Sequence, residues 1–136
     1  MADAAQKPAA AESKPRRGPL LTVTDLEVRY GGIAAVRGAS LVVEEGEMVC
    51  LIGSNGAGKT STLKALARVI PGRGEIHYGS ARIDRLPAHA LIAMGLSLVP
   101  EGRGVFTRLT VAENLAMGAY HRRDGDVAAD LEEIYG

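Results

Sequence analysis

Residues 50–66 read CLIGSNGAGKTSTLKAL: an apolar run enters a glycine-bearing loop, which the chain leaves through a lysine and hydroxyl residues. The lead-in, residues 47–53, is almost continuously apolar, which is typical of a parallel strand buried on both faces of a sheet. Residues 59–70 then repeat apolar side chains at helical spacing. This stretch therefore predicts a buried strand, a tight loop and a helix in succession.

The loop, residues 53–60, satisfies the pattern G-x-x-x-x-G-K-[ST] at every fixed position. Glycines let the backbone curl so that successive N–H groups point inward and, with the positive end of the following helix, hold phosphate oxygens. We expect Lys59 to reach the β- and γ-phosphates, Thr60 to ligate Mg²⁺ and Ser61 to bond the α-phosphate. The predicted nucleotide-binding residues of the loop are Gly53, Ser54, Asn55, Gly56, Ala57, Gly58, Lys59, Thr60 and Ser61.

The glycine-bearing loop has two alternative interpretations. A chance glycine turn before a helix is one, and the strand and helix patterns on either side of the loop argue against it. A dinucleotide-binding fingerprint is the other. It needs no lysine, and no acidic residue closes a strand at the expected distance of about 20 residues.

Composition bounds the class of protein. With 136 residues there is room for one domain or part of a larger one, and sixteen basic against sixteen acidic side chains leave no net charge. That balance argues against a nucleic-acid partner. The single cysteine, Cys50, is expected to be an inert core thiol in a reducing compartment. Residues 1–19 carry three of the six prolines and are expected to form a disordered tail.

The rest of the chain predicts further elements. Residues 20–46 alternate in strand fashion on both sides of Gly31 and Gly32, which indicates an antiparallel pair of strands. Downstream, the sequence predicts a hairpin around 79–80, a helix over 87–95, a short strand over 96–100, and helices over 110–123 and 126–136.

An antiparallel stretch ahead of the phosphate loop is unusual for small kinases and GTPases. Together with Tyr30 before Gly31 and Gly32, the lead-in EEGEMVCLIG and the stretch LSLVPEGRGVFTRLTVAENL, it resembles the ATP-binding subunit of ABC transporters. The resemblance implies that Tyr30 stacks on the adenine ring; the alternative is an ordinary aromatic at a strand end. ATP and Mg²⁺ are the implied cofactors.

The implied fold is α/β: a P-loop NTPase with a RecA-like parallel sheet core, incomplete here, an N-terminal antiparallel β subdomain and the start of a helical subdomain. The resemblance covers residues 20–136, a partial nucleotide-binding domain. Within it lie the phosphate loop at 53–61, the Q-loop region at 98–106 and the start of the helical subdomain at 107–136.

The Q-loop reads Pro100-Glu101-Gly102-Arg103, which is similar to subunits that serve branched-chain amino acid uptake. Most of the family has glutamine where this chain has Glu101. A carboxylate keeps an oxygen that can ligate Mg²⁺ or orient a water, but it adds charge and lacks the amide donors. Glu101 is therefore a candidate catalytic residue and metal ligand, with a solvated loop carboxylate as the alternative.

Three of the family's motifs are not found after Ser61: the signature, the Walker B strand ending in Asp-Glu, and the switch histidine. The chain thus resembles only the first half of the domain, as a truncated product or a fragment would. We expect it to bind ATP better than it hydrolyses ATP, since the water-activating carboxylate is missing. Parallel strands that lack neighbours are also expected to leave an aggregation-prone apolar face.

The resemblance implies an energy-coupling subunit of an importer, an enzyme by family although this chain's own activity stays open. Implied partners are transmembrane permease subunits, a second ATP-binding subunit and, indirectly, an extracytoplasmic solute-binding protein. The implied location is the cytoplasmic face of the plasma (inner) membrane, reached through the permease. Two alternatives remain: a non-catalytic remnant that binds nucleotide or pairs with an intact subunit, and a small P-loop kinase with an acceptor pocket.

Overall fold

The computed structural model describes residues 18–102, 104–122 and 125–136. Their sheet has four strands in the order β2-β1-β3-β4, and every neighbouring pair is antiparallel. The strands are β1 (Pro19–Tyr30), β2 (Ile33–Glu44), β3 (Arg73–Tyr78) and β4 (Ala81–Arg82). The predicted antiparallel opening and the hairpin around residues 79–80 are confirmed. Of the expected disordered tail, residues 1–17 lie outside the described residues, and β1 begins at Pro19.

Strands β1 and β2 form a hairpin whose tip carries the tyrosine of interest. Tyr30 pairs with Ile33, so Gly31 and Gly32 alone make the turn. Gly31 has φ 57°, a left-handed conformation that tight hairpin turns require and that glycine adopts without strain. The turn therefore fixes where Tyr30 lies.

One face of the sheet builds the core. In β1 the inward residues Val23 and Leu26 are three positions apart, because the register shifts between them and Asp25 takes φ 51°. This bulge returns the next residues to the core face. The buried apolar cluster comprises Val23, Leu26, Val28, Val36, Ala65, Leu66, Ile76, Ile83 and Leu91.

Four helices follow the prediction but are shorter: α1 (Lys59–Leu66), α2 (Ala88–Ala93), α3 (Val111–Gly118) and α4 (Val127–Tyr135). Helix α1 ends early because Arg68 adopts φ 58° and donates its N–H to Ala65, while the N–H of Val69 reaches Lys64. This is the Schellman ending, with arginine where glycine is usual. None of the helices in the described ranges is long and apolar enough to cross a bilayer.

The prediction of two apolar strands, one before the phosphate loop and one before the Q-loop, is wrong for the described chain. Residues 47–53 and 96–100 form no strand, and Met48, Ile52 and Val99 are 96%, 92% and 83% exposed. Cys50, expected in the core, is exposed as well. A strand of a parallel sheet is stable only beside partners that complete its hydrogen-bond ladder and cover its faces. The described residues provide no such partners here, so the RecA-like parallel sheet is not formed among them.

Candidate nucleotide site

The predicted phosphate loop is a tight turn followed directly by a helix. The N–H of Ala57 donates to the carbonyl of Ser54 at 3.1 Å, which closes the turn. Gly56 inside it has φ 85°, and a Cβ on Gly53 would lie 3.0 Å from the Cβ of Ala57. Glycine is thus needed at position 56 for its backbone angle and favoured at position 53 by crowding.

Gly58 is constrained twice. Its φ is 88°, and a Cβ there would lie 2.4 Å from the carbonyl oxygen of Ala35 and 3.2 Å from a methyl carbon of Val36. Both neighbours belong to β2. The antiparallel sheet therefore supports the phosphate loop through direct backbone contact at this glycine.

Helix α1 starts at Lys59 with its positive end open. Gly58 is the N-cap and has no side chain to bond the first-turn N–H groups, and no acidic residue lies in that turn. The side chain of Thr62 donates to the Gly58 carbonyl at 3.0 Å, which steadies the turn from inside. First-turn N–H groups lack intrahelical acceptors, so this end of α1 suits an anion.

The Lys59 side chain folds back over the loop. Its Nζ donates to the carbonyl oxygens of Gly53 and Ser54 at 2.7 and 2.8 Å. The ammonium is therefore held at the loop, as expected for a group that meets phosphate charge there. Thr60 is exposed beside it. No group of three or more His, Cys, Asp or Glu in the described parts of the chain is placed to hold a metal, so Mg²⁺ at Thr60 would rely on phosphate oxygens and water.

Tyr30 lies at the same site although it is distant in sequence. Its hydroxyl is 3.3 Å from the Oγ of Ser61 in α1, and the residue is 50% exposed. The structure thus brings together the residue predicted to meet the base and one predicted to meet the α-phosphate.

A cavity of about 560 Å³ opens between β2 and the phosphate loop. Its lining includes Lys59 and Thr62 of α1, Arg37 and Ser40 of β2, and the exposed Ile52. Its lining is thus mixed, with two cations and two hydroxyls among apolar groups.

Glu101 is not brought to the loop by any described interaction. It lies exposed in a turn, and within the described ranges no hydrogen bond or ion pair joins it to residues 53–61. Its neighbour Arg103 falls outside the described residues. Its predicted role as a metal ligand or catalytic group stays a prediction.

Asn114 organises the segment that follows the Q-loop, a role that the sequence analysis did not predict. Its side chain accepts from the N–H of Phe106 at 2.8 Å and donates to the carbonyls of Phe106 and Thr110 at 3.1 and 2.9 Å. It thereby connects the segment after the Q-loop to α3.

A capping box begins α3. Glu113 completes it with Thr110, and the two hydrogen bonds from Thr110 lower the pKa of the Glu113 carboxyl. The sequence signal for this capping box is the pattern T-x-x-E before an apolar helix.

Comparison with known proteins gives a consistent picture. The family model described as ABC transporter matches residues 36–135. The high-affinity branched-chain amino acid transport ATP-binding protein BraG of Pseudomonas aeruginosa is 37% identical over 116 residues, 85% of this chain and 50% of its own. BraF of the same organism is 38% identical over 83% of this chain and 45% of its own. The lipopolysaccharide export system ATP-binding protein LptB of Escherichia coli K12 is also 38% identical, over 83% and 46%.

A nucleotide-free ATP-binding cassette from an ABC transporter superposes with a TM-score of 0.64 at 14% identity, covering 85% of this chain and 52% of that one. The similarity confirms the predicted fold class, a partial cassette fold. The chain spans about half the length of the curated relatives it matches.

Proposed function

This chain belongs to the ABC transporter family, and we propose that it is the ATP-binding, energy-coupling subunit of an importer for branched-chain amino acids. The observation that carries the proposal is the phosphate loop. Gly58 opens α1 in a left-handed conformation against Ala35, and Lys59 is held at the loop carbonyls. A backbone cradle, an open helix N-terminus and a fixed cation are what triphosphate binding requires.

The residues fit MgATP in the following roles. The loop residues Gly53 to Gly58 would hold phosphate oxygens through backbone N–H groups, and Lys59 would meet the β- and γ-phosphates. Thr60 would ligate Mg²⁺ and Ser61 would bond the α-phosphate. Tyr30, half exposed at the hairpin tip, would offer its ring to the adenine. Glu101 would approach Mg²⁺ or a water only if its turn lies against the phosphates.

The proposed solute follows from the names of relatives and from the Q-loop sequence. BraG and BraF are named for branched-chain amino acid transport, and the Pro100-Glu101-Gly102 sequence agrees with that subgroup. LptB, named for lipopolysaccharide export, is equally similar. We therefore propose branched-chain amino acids as the solute on the Q-loop sequence. A permease pair, a second ATP-binding subunit and an extracytoplasmic solute-binding protein would complete the importer, with this subunit on the inner face of the membrane.

Hydrolysis of the bound nucleotide is the activity that we propose for the assembled importer, in which Lys59 would supply positive charge at the transferred phosphate. A non-catalytic polypeptide that binds ATP and pairs with an intact subunit is the second candidate, favoured by exposed apolar groups such as Ile52 and Val99. Family membership argues against the small P-loop kinase.

Photolabelling tests the site. Azido-ATP, whose reactive group is on the base, should label the peptide that contains Tyr30, and excess MgATP should prevent the labelling. Lys59→Ala should abolish it, whereas Lys64→Ala, which removes the basic side chain in the last turn of the same helix, should not. Labelling that is reduced neither by excess MgATP nor by Lys59→Ala would contradict the proposal.

A second assay tests the transport role and separates the two candidates. Permease subunits should co-purify with the protein. Co-purification with an intact ATP-binding subunit but no permease would favour the non-catalytic candidate.

A further inference from the structure

A hydrogen bond joins the two ends of the proposed nucleotide site. The hydroxyls of Tyr30 and Ser61 are 3.3 Å apart, although the two residues are 31 positions apart in the sequence. Tyr30 is the last residue of β1, and Ser61 lies in the first turn of α1. Buried Leu26 of that strand and buried Leu66 of that helix share the apolar core, so both ends of the bond are attached to packed elements.

The Ser61 hydroxyl has capacity for two partners at once. A serine hydroxyl carries one proton to donate and two lone pairs to accept with. If the phenol of Tyr30 donates to Ser61, the proton of Ser61 stays free for an oxygen of the ligand. The reverse direction would use that proton on the tyrosine instead.

We propose that Ser61 is a positioning residue for Tyr30: its oxygen accepts a hydrogen bond from the phenol hydroxyl and holds the ring at the edge of the phosphate loop. This inference rests on the proposed function and adds to it. A half-exposed ring without such a bond would lose rotamer freedom only when the base arrives, and that loss would weaken binding. With the bond, the orientation is already fixed. Base and phosphate recognition are then linked through one hydroxyl pair.

The linkage has a signature that distinguishes it from phosphate binding by Ser61 alone. Removing the phenol hydroxyl should lower the affinity for a ligand that has a base and leave unchanged the affinity for a ligand that has only phosphates. Removing the Ser61 hydroxyl should lower the affinity for both ligands, and that for the base-bearing ligand by an additional factor of similar size. In a protein that already lacks the phenol hydroxyl, that additional factor should vanish.

The experiment compares MgATP with magnesium tripolyphosphate in equilibrium titrations of Tyr30→Phe, Ser61→Ala and the double variant. Tyr30→Phe should lower the affinity for MgATP about 2- to 10-fold, the range expected for one hydrogen bond. It should leave the affinity for tripolyphosphate unchanged. Ser61→Ala should lower the affinity for MgATP more than the affinity for tripolyphosphate, and the extra loss should equal the factor seen in Tyr30→Phe. Ser61→Thr keeps the hydroxyl and should bind both probes with the affinities of the unaltered protein. Tyr135→Phe, at a tyrosine 60% exposed in α4, is the matched control and should change neither.

Two results would overturn the inference while leaving the proposed function intact. One is an equal loss of MgATP and tripolyphosphate affinity in Ser61→Ala. The other is a Ser61→Ala effect of the same size whether residue 30 is Tyr or Phe. Failure of the unaltered protein to bind either probe would instead contradict the proposed function, and this inference with it.

Discussion

Gly58 packs so closely on Ala35 that a Cβ at position 58 would lie 2.4 Å from the Ala35 carbonyl oxygen. The glycine therefore serves two purposes. It gives the phosphate loop its left-handed exit into α1, and it lets strand β2 approach the loop. Because of this contact, the antiparallel sheet supports the phosphate loop directly.

Gly58→Ala should therefore damage both stability and nucleotide binding. The added methyl forces β2 away from the loop and strains a positive φ, which should cost about 2–4 kcal/mol of the free energy of unfolding. Gly56→Ala is the matched control: its φ is 85°, but nothing lies within 4 Å of its Cβ, so only the backbone strain of roughly 1–2 kcal/mol applies. Chemical denaturation of both variants measures the difference. Equal losses would contradict the contact with Ala35.

The exposed apolar side chains of residues 47–53 and 96–100, which form no strand, should cause self-association. Ile52→Asp and Val99→Asp replace residues 92% and 83% exposed, so they should reduce aggregation without loss of folded structure. Ile33→Asp, at a residue 74% exposed beside the hairpin turn, is the control and should change aggregation less. Light scattering against concentration gives the comparison. A larger effect of Ile33→Asp would show that another surface mediates the association.

Asp84 should make stability depend on pH in the acid range. Hydrogen bonds from Arg82, with help from the N–H of Ile76, lower the pKa of Asp84, whose side chain is 10% exposed. Because the folded pKa is lower than the unfolded one, the stabilisation is full above about pH 4 and is lost as pH falls through the folded value.

The matched variants at this ion pair are Asp84→Asn and Glu75→Gln. Asp84→Asn should lower stability by about 1 kcal/mol at neutral pH and flatten the acid dependence. Glu75, 54% exposed, also pairs with Arg82, and Glu75→Gln should change stability little. Denaturant midpoints across the acid range measure both. A steeper acid dependence in Asp84→Asn than in the unaltered protein would contradict the assignment.

Local features of this fold were predictable from sequence, and features that depend on distant partners were not. The Gly31–Gly32 turn and the glycines of the loop follow from backbone angles that few other residues adopt. The segment at 47–53 carried the pattern of a buried strand, but a pattern does not supply the neighbouring strands that burial needs. The bond between Tyr30 and Ser61 depends on how β1 meets α1, which no local pattern encodes.

The end of α1 shows the same limit at short range. Apolar spacing extends through residue 70, yet the helix stops at Leu66 because Arg68 turns left-handed. Arginine at that position gives no sequence signal for a helix end, whereas glycine would have given one.

The most direct test of the central claim, that the phosphate loop binds ATP through Lys59, is a calorimetric titration with MgATP. The unaltered protein should bind about one ATP per chain, and Lys59→Ala should weaken the affinity at least about tenfold, since a charge-assisted contact is worth roughly 1.5–3 kcal/mol. Lys64→Ala, on the same helix, should bind as the unaltered protein does. Equal affinities for all three proteins would contradict the account.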